Sequence, residues 1–236
     1  MIWFIIGFLV IFLIIALAIA NYSGSQFLDT YEKYSKIPCY AKVTGGQFAI
    51  RVANEVTNGQ IRVARTQGYL TDAYSSSAKT VVLSDETCDT ASVAALTIVS
   101  HEFGHAMQHL SNSKKYRLNT KLLKLTRYLG YFMFPLALFG LFLFFAIPDK
   151  TYIGLIVMGA SALIFLIAIA LKLFSIPLEK DASRRGLKLL QELDVFDDEE
   201  MKIAKDLLRA ALMTYVGDFL RAILWWTFLT KKTKLF

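Results

Sequence analysis

The chain has 236 residues, 55% of them hydrophobic, a mean hydropathy of +0.45 and a net charge of +7 from 26 Lys and Arg against 19 Asp and Glu. That is more apolar than an ordinary soluble domain, and the two cysteines, Cys39 and Cys88, form neither a disulfide framework nor a metal-binding pair by spacing. No nucleic-acid recognition motif accompanies the basic excess, so nucleic acid is not an expected partner.

The apolar residues gather in three blocks, at 2–20, 128–147 and 153–171. Each is close to the ~20 residues that cross a bilayer core as a helix. The first has only Met1 ahead of it and no basic n-region. It therefore reads as an uncleaved anchor rather than a signal peptide, although Ala18-Ile19-Ala20 faintly resembles a cleavage site.

The polar run Asn21 to Ser25 marks an exit from the first span, and residues 26–36 predict a short, separate helix. Thr44-Gly45-Gly46 precedes a helical stretch through Glu55, and Asn58-Gly59 signals a turn. Gln60 to Arg65 and Thr80 to Ser84 predict two strands, with a loop from Tyr74 to Lys79 between them. A long helix is expected from Ala91 to His109, with Asp89 or Thr90 as its N-cap.

Lys114, Lys115, Arg117, Lys121, Lys124 and Arg127 follow with no acid among them. This is the pattern of a juxtamembrane segment facing anionic cytoplasmic lipid. The short link from Pro148 to Tyr152 makes the second and third spans a hairpin. A further helix carries Glu179 to Leu190, and Asp197 to Glu200 place acids at the start of a last helix that runs through Ala210 to Phe228. Its apolar end, 220–229, holds Asp218 and Arg221 close by and reads as a surface or packed helix rather than a fourth span. The basic cluster, Lys172, Arg184, Arg185 and Lys231 to Lys234 all belong on the cytoplasmic side. Two spans return the chain to the side it left, so 21–127 and 175–236 share the cytoplasm and the N-terminus faces out.

The chemistry centres on Ser100-His101-Glu102-Phe103-Gly104-His105, an H-E-x-x-H motif. On a helix, residues four apart share a face, so both imidazoles can reach one Zn²⁺. Glu102, beside them, can take a proton from a zinc-bound water as general base. A catalytic zinc needs a third protein ligand and an open position. His109 suits this poorly: it lies a second four-residue step along the same helix, and position 111 is Ser where an extended motif would carry another histidine. Glu179 and Asp181, just after the third span, are better candidates. Glu179 leads, with Asp181 as the partner that orients a histidine, and the two roles could be exchanged. The competing readings are an inactive zinc-binding scaffold, against which the intact Glu102 argues, and a zinc sensor or carrier, which would need more polar groups within the spans than Ser161. The same lack of ionisable groups favours cleavage just outside the bilayer core over cleavage within it.

Taken together, these pieces resemble the bacterial membrane-bound neutral zinc metallopeptidases of the YugP-like family. The matching segments are the N-terminal anchor, Gly68 to Tyr74, Val82-Leu83-Ser84, His101 to His109, the two later spans, Glu179 to Arg185, and Ala211 to Val216. The loop departs from the family's Asp-His-Tyr-Asp-Pro pattern, with Ala73 in the histidine's place and Ser75-Ser76 in that of Asp-Pro. The resemblance implies Glu179 as third ligand, peptide-bond hydrolysis, and an extended substrate pairing with the edge of the strand at 80–84. Tyr69, Tyr74, Arg184, Arg185 and Tyr215 are chemically able to stabilise an oxyanion.

The expected molecule is thus mainly α with a small β-sheet (α+β), embedded in the bacterial plasma membrane by three helices, with a zincin-like catalytic domain. Residues 1–21 form the anchor, 22–127 the catalytic domain, 128–174 the hairpin and 175–236 a helical region bringing the third ligand. The expected partners are a peptide or membrane-protein substrate and the lipid bilayer; the sequence carries no signal for oligomeric state.

Overall fold

A computed structural model describes residues 2–111, 114–147, 149 and 151–223. The chain is mainly helical with one small mixed sheet. In order it forms α1 (Ile2–Ser35), α2 (Gly45–Glu55), β1 (Arg62–Thr66), β2 (Ala73–Ser75), β3 (Thr80–Ser84), α3 (Asp85–Asp89), α4 (Val93–Leu110), α5 (Lys114–Ala146), α6 (Thr151–Leu173), α7 (Ile176–Glu192) and α8 (Asp198–Ile223). It divides into two compact units, one of Met1–Ser113 with Glu179–Phe236, the other of Lys114–Leu178.

In the first unit, local signals set the helix starts. Thr44 caps α2 with a capping box completed by Gln47. α4 begins at Ser92, whose hydroxyl accepts from the Ala95 N–H, and not at the expected Asp89 or Thr90. Those two residues close the short α3 instead. α4 is apolar nearly all round in its first turns, the pattern of a helix with packing on every side. Leu96, Val99, Phe103 and Ala106 pack with Phe48, Val52, Val81, Leu83, Leu189 and Leu190 in the main core.

α1 is continuous through the predicted exit at 21–25. One glycine within a helix costs only ~1 kcal/mol, and packing outweighs it: Phe27 and Tyr31 of α1 are buried in a second cluster with Ala94, Ile98, Leu207 and Ala210. The side chains of 2–14, which would carry the anchor's apolar surface, lie outside the described residues, as do 224–236, where the end of the last helix and Lys231 to Lys234 fall.

The sheet has a third strand that the loop prediction missed. Its order is β1-β3-β2. β1 runs parallel to β3 (Arg62 opposite Thr80) and β2 antiparallel to it (Tyr74 opposite Val81). The 80–84 strand is therefore central: β1 pairs along its whole length and β2 along 80–82. Over 80–82 it offers no edge to an extended substrate, contrary to that expectation.

In the second unit, α5 and α6 form a hairpin. The Ser161 hydroxyl donates to the Met133 carbonyl at 2.8 Å, and a Cβ on Gly154 would stand 2.7 Å from the Gly140 oxygen. One partner's number rises as the other falls, so the helices are antiparallel. Among the described residues one helix stretch, Thr151–Ala168, is long and apolar enough to cross a membrane, and 11% of it is buried. The apolar stretch in α5, Tyr131–Ala146, is shorter. Of the three expected spans, the described residues thus supply one, and the first, at 2–20, falls largely on side chains outside them.

Candidate metal centre

The i, i+4 spacing puts His101 and His105 on one face of α4, their rings 4.8 Å apart and nearly perpendicular. α7 crosses that face at unusually short range because two glycines meet it. A Cβ at Gly104 would lie 2.2 Å from the Ala182 carbonyl oxygen, and one at Gly186 would lie 2.7 Å from that of Ser100. Any side chain at either position would push the helices apart. This close approach carries Glu179, in the first turn of α7, to the two imidazoles.

Glu179 Oε2 stands 3.5 Å from His101 Nε2 and 3.1 Å from His105 Nε2. These are the one group of three His, Cys, Asp or Glu ligand atoms found together among the described residues, all within 4.8 Å of one another. Glu179 is 8% exposed, and Oε2 is buried without an acceptable hydrogen bond. Burial alone would drive Glu179 and His105 to their neutral forms. Their mutual attraction wins: Glu179 is held well below the usual carboxylate range, and His105 is pushed up to about 9 by the Glu179 carboxylate. Glu102 is buried beside them, and burial pushes its carboxyl up, with His105 and His101 partly offsetting the shift.

The outward ring nitrogens are held by polar partners. His101 Nδ1 pairs with Ser183 Oγ at 3.2 Å, and His105 Nδ1 with Gln108 Oε1 at 3.2 Å. The Gln108 amide nitrogen donates to Asp181 at 3.0 Å, and Asp181 also accepts from Arg185 at 2.8 Å and from Arg184. These contacts hold the Asp181 carboxyl down to about 2 against the effect of burial. They also settle a proton. Because the Gln108 amide N–H faces Asp181, its oxygen faces His105. A neutral His105 must then carry its hydrogen on Nδ1, leaving the Nε2 lone pair toward Glu179. Asp181 therefore reaches a histidine only through Gln108. Ser183 and Gln108 lie within the family segments, but no role is expected of them from the sequence. Their spacing, four residues after Glu179 and three after His105, puts each on the same helix face as its neighbour, the one signal that could have found them.

The remaining candidates are dispersed. His109 Nδ1 pairs with the Tyr74 hydroxyl at 2.7 Å and is not part of the three-residue cluster. Tyr69 is half exposed with its ring edge-on to Tyr31. Arg184 and Arg185 are engaged by Asp181. Tyr215 lines a cavity together with His101 and Glu179.

The donor set fits zinc. A tetrahedral ion with bonds of ~2.0–2.1 Å spaces its ligand atoms about 3.3 Å apart; the two histidine–carboxylate separations of 3.1 and 3.5 Å bracket this, and all three atoms lie within 4.8 Å of one another. Two imidazoles and one carboxylate are a ligand set of catalytic zinc sites, and the buried, otherwise unsatisfied Oε2 is directed at both Nε2 atoms.

Comparisons with known proteins agree. The family model described as "Putative neutral zinc metallopeptidase" matches residues 9–230. The "Putative membrane protease YugP" of Bacillus subtilis (strain 168) is similar, at 28% identity over 210 residues, 89% of each chain. No solved structure matches the chain.

Proposed function

We propose, from the premise that this chain belongs to that neutral zinc metallopeptidase family, that it is a membrane-bound zinc endopeptidase in which His101, His105 and Glu179 hold the ion and Glu102 moves the proton. The observation that carries this reading is the convergence of three donor atoms from two helices within 4.8 Å, the carboxylate buried and the two imidazoles partly so.

A bound zinc supplies Lewis acidity and a water that ionises near neutral pH. Glu102 accepts a proton from the attacking water as the new C–O bond forms. It returns that proton to the amine nitrogen as the C–N bond breaks. Burial, by pushing its carboxyl up, brings Glu102 closer to the range in which it can serve in both directions. Gln108 and Ser183 fix the orientation of the two imidazoles, and Asp181, clamped by two arginines, fixes Gln108. Tyr215, beside His101 and Glu179, is the candidate donor to the developing oxyanion.

The same reading gives the chain three membrane spans, an anchor at 1–21 and a hairpin at 128–174. The regions 22–127 and 175–236 then lie in the cytoplasm as a zincin-like domain, acting on peptides or membrane proteins. The exposed apolar stretch Thr151–Ala168 supports it, as does the printed name of the Bacillus subtilis relative.

Metal analysis of the purified protein tests the centre. Wild type and His109→Ala should carry equimolar zinc, and Glu179→Ala should lose most of it. Full retention by Glu179→Ala, or loss by His109→Ala, would overturn the ligand assignment.

A further inference from the structure

Next to the three donor atoms the first unit encloses a cavity bordered by His101, Glu179 and Ser183. Its deep wall is made by Phe27 of α1, Ile98 of α4 and Leu207 of α8, all buried. Leu208, Ala211 and Leu212 of α8 continue it outward. Three hydroxyl-bearing residues border it: Tyr215 carries the candidate oxyanion donor, and the hydroxyls of the other two are directed elsewhere. That of Thr97 donates to the Val93 carbonyl at 2.7 Å, and that of Ser183 pairs with His101. A polar side chain entering this space would leave water and find few partners, a costly exchange. An apolar one would gain the contacts of three helices.

We propose that this cavity is a specificity subsite that takes an apolar side chain of the substrate residue next to the scissile bond. The inference rests on the zinc-peptidase reading, since only a bond positioned at His101, His105 and Glu179 puts a neighbouring side chain at the cavity mouth. Its walls come from α1, α4 and α8. Selectivity is thus built by elements distant in sequence from the H-E-x-x-H motif, and α1 contributes to recognition as well as to anchoring.

Cobalt-substituted full-length protein in detergent micelles supplies the test. N-acetyl-leucine hydroxamate and N-acetyl-asparagine hydroxamate match in size and charge and differ in polarity. Their affinities are read from the visible spectrum of the bound cobalt. The leucine compound should bind at least about tenfold more tightly, as expected for burial of one aliphatic side chain. Ala211→Trp, and separately Leu212→Trp, should shrink that margin while the cobalt spectrum without ligand persists, which shows that the variant is folded. Equal affinities with an intact cobalt spectrum would overturn the subsite alone. So would a leucine margin untouched by both tryptophans. Absence of a cobalt spectrum in the wild-type protein would overturn the metal centre, and the subsite with it.

Discussion

Helices α4 and α6 are both rich in apolar residues, yet they keep opposite company. α4 buries thirteen of its eighteen residues, Glu102 and Gln108 among them. In the Thr151–Ala168 stretch of α6, 11% is buried, and its one buried hydroxyl, Ser161, donates to a carbonyl on α5. Apolar content alone therefore does not separate a core helix from one that turns its surface outward. The difference lies in what crosses the helix. α7 brings Asp181, Ser183 and Glu179 to α4, so polar groups can leave water there with partners waiting. A charge placed on the outward face of α6 would find none.

This contrast can be tested by substitution in both helices. The largest effect is expected from Glu102→Gln, which keeps shape and removes the base: peptide hydrolysis should fall by ~10²–10⁴-fold with zinc content unchanged. Unaltered cleavage would sink the enzymatic reading. On the other side of the comparison, Leu163→Lys places a charge on a residue 59% exposed in α6. If that face meets lipid, insertion should lose ~2.5–3.5 kcal/mol, seen as protein extractable from membranes by alkaline carbonate. A stability change within ~0.5 kcal/mol and unchanged extraction would mean that the face meets water. Gly104→Ala should cost ~1–3 kcal/mol through overpacking against α7 and should deplete zinc. Gly140→Ala, where a Cβ would meet Met158 at 2.8 Å within the hairpin, should leave zinc content intact. The smallest effect is assigned to Gln108→Ala, which should weaken zinc affinity ~10-fold, the low end for loss of a partner that orients a ligand. Competition with a zinc-chelating dye would measure it.

Much of the first unit can be read from local patterns. Four-residue spacing gave His101 and His105 a common face, and capping residues marked α2, although the start of α4 fell at Ser92 rather than earlier. The choice of Glu179 over His109 came from helix geometry and family resemblance. The structure places Glu179 against both imidazoles and His109 against Tyr74. What stayed hidden depends on partners distant in sequence. β2 is three residues long in a serine-rich segment, and only its pairing with β3 makes it a strand. α1 looked interrupted at 21–25 because its support comes from Leu207 and Ala210, far along the chain. The link from His105 through Gln108 to Asp181 spans 73 positions between its last two members. No periodicity announces such a link.

The meeting of Gly104 and Gly186 with the opposing main chain has a consequence for which ion the protein can hold. Side chains rotate and long ones bend, but two backbones in contact set a fixed gauge. The carboxylate is thereby held 3.1 and 3.5 Å from the two imidazole nitrogens, so that one ion could touch all three. A cation such as calcium asks for six to eight oxygens at ~2.3–2.6 Å, and two nitrogens with one carboxylate meet that demand poorly. The donors thus choose the kind of ion, and the thickness of the polypeptide keeps them together while they do so.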